Sequence, residues 1–277
     1  LTWELSRKSI LGSVYDPDRT KRKMKIVAVD IGNSETSVGV GNYESWESFR
    51  FTTRTLMTSD EWLMLLKNTL PKDLDKSKDK IGSIICSVVP QINNDFLKAM
   101  KDYLKTSPIL LGAGIKTGLS VKIDNPKELG PDRIANSVGG LHKVGAPLIV
   151  VDMGTATTID IVNSNKEYIG GMISPGLKIS HDALIDNTAS LKSVDFKVPE
   201  QAIGKNTYDA IQSGLFFGHA SLIDGLIDKA LQELGEDASI LITGGMGDLM
   251  RPHLSLNVKY DKNITLDGLA KIYEINS

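Results

Sequence analysis

The same short motif occurs twice in this chain, about one domain length apart. The first copy is Asp30-Ile31-Gly32-Asn33-Ser34, and the second is Asp152-Met153-Gly154-Thr155-Ala156. Each follows a run of apolar β-forming residues, at 26–29 and 148–151, and continues into a second strand-like segment, in which ungapped alignment matches Val40 with Val162. A strand, a tight glycine turn and a second strand, used twice, predict two lobes with similar folds.

The residue types in these turns suit an anion and its counter-cation. Gly32 and Gly154 permit backbone torsions and close approaches that a Cβ would prevent. Amides and hydroxyls for an anion come from Asn33, Ser34, Thr155 and Thr157. Asp30 and Asp152 end apolar strands, where a carboxylate requires a cation or hydrogen-bond donors. Two facing turns of this kind would hold the phosphate chain of a metal-bound nucleotide; the alternative is a pair of ordinary hairpin turns.

Composition narrows the kinds of partner. The chain has 277 residues, of which 41% are hydrophobic, and this is enough for two domains with separate cores. Its formal net charge of -2 predicts neither a nucleic acid nor a membrane surface as partner. No apolar stretch approaches the roughly 20 residues that cross a bilayer. Cys86 is the only cysteine, which excludes an internal disulfide and fits a reducing cytoplasm. Small-molecule chemistry fits best.

The order of expected elements is that of an α/β protein. Strands of the first half are expected over 25–30, 36–42, 47–53 and 81–89. Strands of the second half are expected over 147–152, 157–163, 167–173, 239–242 and 256–260. Helices are expected from residue 59 and over 91–105, 203–234 and 264–275. The strand at 239–242 runs into Thr243-Gly244-Gly245, a flexible turn against which a flat base could lie.

A segment between the two copies of the repeat carries a candidate catalytic aspartate. Pro131 suits a first helical turn, so Asp132 and Arg133 would stand at a helix start, beside amides that are free to bind an anion. There Asp132 could accept a proton from a hydroxyl, and Arg133 could offset phosphate charge. The alternative is an acid that favours the helix dipole and an arginine in a surface ion pair. The glycine-containing stretch 112–117 does not fit a phosphate-binding loop, since Ile115 precedes its lysine.

Six segments together resemble one family. They are 30–34, Cys86-Ser87-Val88-Val89-Pro90, Gly130-Pro131-Asp132-Arg133, 152–160, 170–176 and 206–214. In combination they resemble type III pantothenate kinase, within the superfamily of acetate and sugar kinases, heat-shock chaperones and actin. The Gly-x-Asp-Arg segment and Asn206-Thr207-x-x-Ala210-Ile211 are the most specific of them, and the resemblance runs from Met24 to the C-terminus.

The resemblance implies a fold and an activity. The fold would be α/β, with two ribonuclease H-like lobes of the actin-like ATPase type, each a mixed sheet flanked by helices, and an active-site cleft between them. After a polar extension over 1–23, the lobes would span 24–146 and 147–277. The activity would be ATP-dependent phosphorylation of the terminal hydroxyl of pantothenate, the first step of coenzyme A biosynthesis in the cytoplasm.

The resemblance also implies roles for individual residues. ATP would contact Asp30, Ile31, Gly32, Asn33, Ser34, Glu35, Thr36, Ser37 and Thr155. Pantothenate would contact Gly130, Pro131, Asp132, Arg133 and Thr207, with Asp132 as the general base. Asp152 would bind a monovalent cation, K⁺ or NH₄⁺, and Asp30 would lie near the Mg²⁺ that accompanies ATP. Such a division fits phosphoryl transfer, in which positioning and charge neutralisation dominate.

One position departs from the family pattern, and one helix suggests an assembly. Ile123 stands where the family usually carries a tyrosine ahead of Gly130, so we expect the acceptor pocket to differ there. Small residues fall on one face of the long helix: Gly214, Gly218, Ser221 and Gly225. This face predicts a homodimer interface, as is usual in the family, and close packing within one subunit is the alternative.

Two other functions stay open at this point. The same fold and turns serve kinases of other small hydroxylated metabolites, because they do not identify the acceptor. A non-catalytic, nucleotide-binding regulatory protein is the second, since family relatives have been described in that way. The presence of both Asp132 and Arg133 favours catalysis over a purely regulatory role.

Overall fold

Each copy of the repeat forms an antiparallel strand pair inside a mixed sheet. The computed structural model describes residues 25–42, 45–72, 74 and 81–277. The extension over 1–23 lies outside these described residues. Within them, the strands form two separate sheets, one for each copy of the repeat.

The first sheet has five strands. They are β1 Ile26–Ile31, β2 Glu35–Asn42, β3 Ser45–Thr52, β4 Gly82–Ser87 and β5 Ile109–Leu110. In space they lie in the order β3-β2-β1-β4-β5, with β2 antiparallel to β1 and β4 parallel to it. The carboxyl ends of β1 and β4 therefore lie side by side, at the edge where α/β sheets commonly bind ligands.

The second sheet repeats this order and adds one strand at its edge. Its strands are β6 Ser120–Val121, β7 Leu148–Met153, β8 Ala156–Val162, β9 Glu167–Pro175, β10 Ser239–Thr243 and β11 Lys259–Tyr260. They lie in the order β11-β10-β7-β8-β9-β6, with β8 antiparallel to β7 and β10 parallel to it. Without β6, the order matches the first sheet strand for strand, as the repeat predicts.

Seven α-helices in the described part of the chain cover these sheets. They are α1 Ser59–Thr69, α2 Asn93–Leu104, α3 Pro131–Val144, α4 Leu177–Asp186, α5 Thr207–Leu234, α6 Gly247–Met250 and α7 Ile264–Asn276. Helices α1 and α2 share a core with one face of the first sheet, and α5 shares a core with one face of the second. Helices α3 and α7 share a third core with the remaining face of each sheet.

Alternation along the central strands explains these three cores. On β1, Val27 and Val29 pack on the side of α1 and α2, whereas Ile26 and Ala28 pack on the side of α3 and α7. Strand β7 follows the same rule, with its odd-numbered apolar residues beside α5 and its even-numbered ones beside α3 and α7. The even-numbered residues of β1 and of β7 therefore face the same pair of helices, α3 and α7.

Helices α3 and α7 cross at very short range. A Cβ added to Gly139 of α3 would overlap the carbonyl oxygen of Ile264, and one added to Gly268 of α7 would overlap that of Ala135. Only glycine allows this backbone-to-backbone approach. Helix α7 packs on β1 and β4 of the first sheet, while α3 packs on β7 and β8 of the second as well as on β4. The proposed lobe boundary between residues 146 and 147 stays a prediction.

The two copies of the repeat differ in the length of their turns. Val40 lies opposite Val27 in the first hairpin, whereas Val162 lies opposite Leu148 in the second. Because Leu148 is the counterpart of residue 26, not of residue 27, the second turn is one residue shorter. The ungapped match of Val40 with Val162 is therefore wrong by one position.

Three further details differ from the expected elements. Helix α5 begins at Thr207 rather than at residue 203, because the side chain of Asn206 caps it by accepting the N–H of Asp209 at 2.9 Å. Strands β5 and β6 were not expected, and β11 is shorter than expected, since each contains two residues. Strands this short carry no usable alternation pattern.

Candidate active site

The alternation of side chains brings the two repeated aspartates to facing surfaces. Asp30 and Asp152 continue the even-numbered positions of β1 and β7. Their side chains therefore point to the same side of each strand as the core residues that pack around α3 and α7. The turns beyond them meet, since the hydroxyls of Ser34 and Thr155 form a hydrogen bond at 3.0 Å. The two turns predicted to face each other are therefore in contact.

Thr53, which no sequence motif indicated, holds the first turn in place through hydrogen bonds. The Thr53 hydroxyl donates to the carbonyl oxygen of Gly32 at 2.7 Å and lies 2.9 Å from the hydroxyl of Thr36. The Thr53 N–H donates to the carbonyl oxygen of Ser34 at 3.0 Å. These bonds hold the turn against the end of β3, while Asn33, Ser34 and Glu35 are exposed at its tip.

Six of the nine residues expected to contact ATP fall into two groups by exposure. Asn33, Ser34, Glu35 and Thr155 are exposed and can offer side chains as well as amides. The side chains of Ile31 and Thr36 are fully buried, so these two residues can reach a ligand only through their backbone. Ser37 lies opposite Asp30 across the hairpin of β1 and β2.

The second turn is backed by the glycine turn after β10. The N–H of Gly154 donates to the carbonyl oxygen of Ala156 at 3.1 Å and closes the turn. The N–H of Met246 donates to the carbonyl oxygen of Met153 at 3.3 Å, and Gly244 packs against Asp152 and Met153. The glycine turn noted in the sequence thus forms part of the wall beside Asp152.

Carboxyl groups cluster at the carboxyl ends of β1 and β7. Burial, and then the charges of Asp132 and Asp152, raise the pKa of Asp30 to about 7, although the Cys86 thiol on the neighbouring strand donates a hydrogen bond to it. Burial likewise raises the pKa of Asp152 to about 6. Burial and the charge of Asp30 raise the pKa of the Cys86 thiol well above its ordinary value, so the thiol keeps its proton. Carboxyls that resist ionisation in this way mark a site that fits a cation.

Asp152 is held by a short chain of hydrogen bonds. The buried Asn136 of α3 donates from Nδ2 to Asp152 Oδ2 at 2.9 Å. Asn136 Oδ1 in turn accepts the hydroxyl of Thr265 on α7 at 2.6 Å. The bond to Asp152 opposes the effect of burial on the pKa of that carboxyl. Asn136 was missed in the sequence, although it follows Asp132 by one helical turn and so shares its face of α3.

Asp132 stands at the start of α3, as the sequence predicts. Gly130 is the N-cap residue and Pro131 the first helical residue, and the N–H of Ile134 donates to the carbonyl oxygen of Gly130 at 3.1 Å. Asp132 is partly exposed. Its charge raises the pKa of both Asp30 and Asp152, so it lies within electrostatic range of both repeated aspartates. Asp132 therefore lies near the carboxyl ends of both β1 and β7.

Arg133 is committed to an ion pair with Asp160 of β8. Its Nε and Nη2 atoms each lie 2.8 Å from Asp160 Oδ1, and the hydroxyl of Tyr168 donates to the same oxygen at 2.7 Å. The Asp160 side chain is fully buried, and 15% of the Arg133 side chain is exposed. Burial raises the pKa of Asp160 to about 6 against the opposing effects of Arg133 and Tyr168. The alternative considered for Arg133, an ordinary surface ion pair, is right about the pairing and wrong about the exposure, because the pair is buried.

Thr207 lies apart from these residues. It is exposed at the start of α5 and lines a surface cavity of about 620 Å³. The lining also includes Leu184, Leu191, Asn206 and Gly214, but neither turn nor the start of α3 contributes to it. One subunit therefore brings together the residues predicted for ATP, for catalysis and for a cation, and leaves Thr207 on another surface.

The described ranges contain no preformed cluster of metal ligands. No group of three or more His, Cys, Asp or Glu side chains there is placed to hold a metal ion. Asp132 acts electrostatically on Asp30 and Asp152, but the three residues do not form such a group. In the same described ranges, no helix is long and apolar enough to span a membrane.

The sheet order and the facing turns define the class of protein. Two α/β lobes, each with the strand order of β3-β2-β1-β4-β5, form the actin-like ATPase fold. A solved structure from Campylobacter jejuni, described as a Baf family transcriptional activator, is 23% identical, with a TM-score of 0.51 over 90% of this chain and 97% of that one. An activator of 2-hydroxyisocaproyl-CoA dehydratase from Clostridium difficile, with bound ADPNP, is 10% identical, with a TM-score of 0.50 over 91% and 95%.

Within this fold, the sequence identifies the family. Residues 26–229 match the family model of type III pantothenate kinase. The chain belongs to the type III pantothenate kinase family and is a kinase, that is, a phosphotransferase. Its family connects it with ATP, with a divalent metal and with coenzyme A biosynthesis.

Proposed function

We propose that this protein transfers the terminal phosphoryl group of ATP to the terminal hydroxyl of pantothenate. This proposal is carried by the position of Asp132, which acts electrostatically on both repeated aspartates, while the turns that follow those aspartates are in contact. In phosphoryl transfer to a hydroxyl, a carboxylate beside the phosphate chain can orient the attacking oxygen. Membership in the type III pantothenate kinase family supports pantothenate as the acceptor.

Each part of the cleft has a role in this reaction. Amides and hydroxyls of the first turn, with Thr155 of the second, bind the phosphates of ATP. Asp132 accepts the proton of the acceptor hydroxyl as that oxygen attacks phosphorus. Gly130 to Arg133 bind the acceptor, and Arg133 is the residue that suits an anionic group, since it carries donors in a planar fork.

The acidic character of the cleft fits cations that arrive with the nucleotide. Mg²⁺ is usually held through one or two carboxylates together with phosphates and water, so Asp30 suffices as its contact on the protein. Asp152 is the candidate contact for K⁺ or NH₄⁺, since its Oδ2 atom is engaged by Asn136 and its Oδ1 atom lies beside Gly244 at the cleft wall. When bound, such cations neutralise charge that develops on the transferred phosphoryl group.

We also propose that the protein is a homodimer, formed through the α5 face that carries Gly214, Gly218, Ser221 and Gly225. All four residues are exposed, and added Cβ atoms on the three glycines would meet nothing within 4 Å in the described part of the subunit. Thr207 stands on the same face, two helical turns before Gly214. A partner that docks there would lie against Thr207, which gives this residue a route to an acceptor despite its separation from Asp132.

The proposed activity is tested by measuring ADP release from Mg²⁺-ATP with a panel of acceptors. Pantothenate, pantoate and unrelated small alcohols are compared, each in potassium chloride and in sodium chloride at equal ionic strength. We expect pantothenate to support the fastest turnover, and potassium to be required. Turnover with another hydroxylated metabolite alone would show a different acceptor, for which Ile123 offers a cause. No turnover with any acceptor would favour the regulatory alternative.

The same proposal implies where in the cell the protein acts. A kinase that draws on ATP and supplies coenzyme A biosynthesis belongs in the cytoplasm. The buried free thiol of Cys86 is compatible with the reducing conditions there.

A further inference from the structure

The ion pair of Arg133 with Asp160 depends on an irregularity in the second sheet. Strands β8 and β9 pair in one register from Ala156 to Ile161, and the register shifts between Ile161 and Val162. As a result Val162 lies opposite Tyr168, where the first register would place Ile169. Gly170, with φ of 142°, occupies the shifted segment. A β-bulge of this kind re-aims a side chain, and here it turns Tyr168 to the face that carries Asp160.

The same strands leave room for the guanidinium. Gly171 lies opposite Asp160, and a Cβ on Gly171 would come within 2.5 Å of Arg133 Nη2 and 3.2 Å of Asp160 Oδ1. Only glycine therefore lets the arginine lie against β9 at this point. The Tyr168 ring adds a second contact, with its centroid 5.9 Å from Arg133 Cζ, within the range of a cation–π interaction.

We propose that Asp160 and Tyr168 are positioning residues that fix the Arg133 guanidinium for binding of the acceptor. Asp160 engages Nε and Nη2 through one oxygen, and Tyr168 donates to that same oxygen. An arginine has five N–H donors, so the two bonds to Asp160 leave three for a ligand. A guanidinium held in one orientation loses less freedom on binding than a free one, which strengthens binding. This inference rests on the proposed role of Arg133 as an acceptor contact.

Tyr168→Phe is the test variant, because it keeps the ring and removes only the hydroxyl. Asp160→Asn is less informative, since it leaves a buried guanidinium without its counter-charge and is expected to unfold the lobe. We expect Tyr168→Phe to raise the KM for pantothenate about threefold to tenfold, the range for loss of one hydrogen bond. The KM for ATP and kcat should change by less than about twofold. Tyr103→Phe is the matched control, since its buried hydroxyl donates to the carbonyl oxygen of Pro71 in the first lobe.

A double-mutant comparison separates positioning from a general loss of stability. In an Arg133→Ala background no guanidinium remains to be fixed, so Tyr168→Phe should add nothing to the KM for pantothenate. If Tyr168→Phe raises that KM by the same factor in both backgrounds, or affects ATP and pantothenate equally, the positioning role is wrong.

A second readout does not depend on turnover. The Nε–H signal of Arg133 in a nitrogen–proton NMR spectrum, identified by its loss in Arg133→Lys, should exchange slowly with water in the unmodified protein and faster in Tyr168→Phe. An unchanged exchange rate would overturn the inference even in a protein that phosphorylates pantothenate. If no acceptor is phosphorylated but the exchange rate rises as expected, the positioning of Arg133 holds and the proposed function fails.

Discussion

At the scale of single residues, the candidate site is a set of carboxyl groups that the fold forces together. Asp30 and Asp152 come from equivalent strands, and Asp132 comes from the helix between them. Burial, and after it the charges of neighbouring aspartates, raise the pKa of Asp30 to about 7 and that of Asp152 to about 6. Such an arrangement weakens the folded state and is expected where binding of a cation and an anion supplies the compensation.

Asp132→Asn is expected to lower kcat at least about 100-fold, because a general base contributes roughly 10²–10⁴-fold to proton transfer. The KM for ATP should change little, since Asp132 is not among the residues of the phosphate turns. Steady-state kinetics with saturating pantothenate measures this. Asp124→Asn, on an exposed residue ahead of the same segment, serves as control. Undiminished kcat in Asp132→Asn would remove Asp132 as the base.

Asp30→Asn is expected to stabilise the ligand-free protein at high pH. Because the pKa of Asp30 is raised from 3.8 to about 7, the folded state holds this proton more tightly than the unfolded chain. Its contribution to stability is present near pH 4 and is lost as the pH rises through about 7. The difference in pKa corresponds to about 4 kcal/mol. At about 2–4 °C per kcal/mol, the variant should therefore melt on the order of 10 °C higher at pH 8, with a smaller difference at pH 5.

Differential scanning calorimetry of the ligand-free protein between pH 5 and pH 8 provides the measurement. Asp186→Asn, at the exposed end of α4, should leave the melting temperature within about 1 °C at every pH, as surface substitutions usually do. A melting temperature of Asp30→Asn below that of the unmodified protein at pH 8 would contradict the assigned environment of Asp30.

Sequence patterns predicted some of these residues and could not predict others. The two aspartates and Gly130 to Arg133 stand out because unusual residue types follow apolar strands or begin a helix. Asn136, Thr53 and Tyr168 do not, since their roles depend on contacts between distant segments. Tyr168 in particular faces Asp160 only because of a bulge, and alternation along β9 alone would place it differently.

At the scale of elements, the crossing of α3 and α7 connects the two sheets. Helix α7 packs on the first sheet, and α3 packs on the second sheet and on β4 of the first. The two helices meet at Gly139 and Gly268 with no side chain between them. The bond from Thr265 of α7 to Asn136 of α3 continues this contact to Asp152. The crossing therefore fixes how the helix that carries Asp132 lies relative to both turns. The sequence predicted a helix start at Pro131 and a helix over 264–275 but not their crossing, because neither pattern specifies which helices meet.

Gly139→Ala is expected to lower the free energy of unfolding by about 1–3 kcal/mol, as overpacking in a close-packed core does. The added methyl would overlap the backbone of α7 at Ile264, which has no room to move aside. Urea denaturation measures the effect. The comparison is Gly140→Ala on the same helix, where the three atoms nearest to the added Cβ belong to the side chains of Leu148 and Val150, which can change rotamer, and not to backbone. If both variants lose the same stability, the crossing has no special role.

At the scale of the whole molecule, duplication of the strand–turn–strand unit explains the strand order that the two sheets have in common. The repeat predicted two lobes, and both sheets share one strand order. What it could not predict is the shorter second turn or the two-residue edge strands, since neither leaves a period in the sequence. The α5 face of small residues, which packs against nothing in the described subunit, is the feature that most directly suggests assembly.

Gly218→Leu is expected to convert a homodimer into a monomer, because a leucine at a close backbone contact keeps the partner helix away. Light scattering after gel filtration measures the mass. Glu233→Leu, exposed on the same helix but about a quarter of a turn away from the face of small residues, should stay a dimer. An unchanged dimer in Gly218→Leu, or a monomeric unmodified protein, would contradict the proposed interface.

The activity itself is tested most directly by identifying the product. Purified protein is incubated with Mg²⁺-ATP, potassium chloride and pantothenate, and the reaction is followed by phosphorus NMR with proton coupling retained. The predicted result is a phosphate monoester coupled to the terminal methylene of pantothenate, formed together with ADP and absent in Asp132→Asn. Hydrolysis of ATP to inorganic phosphate alone, or no consumption of ATP, would contradict the proposal that this cleft phosphorylates pantothenate.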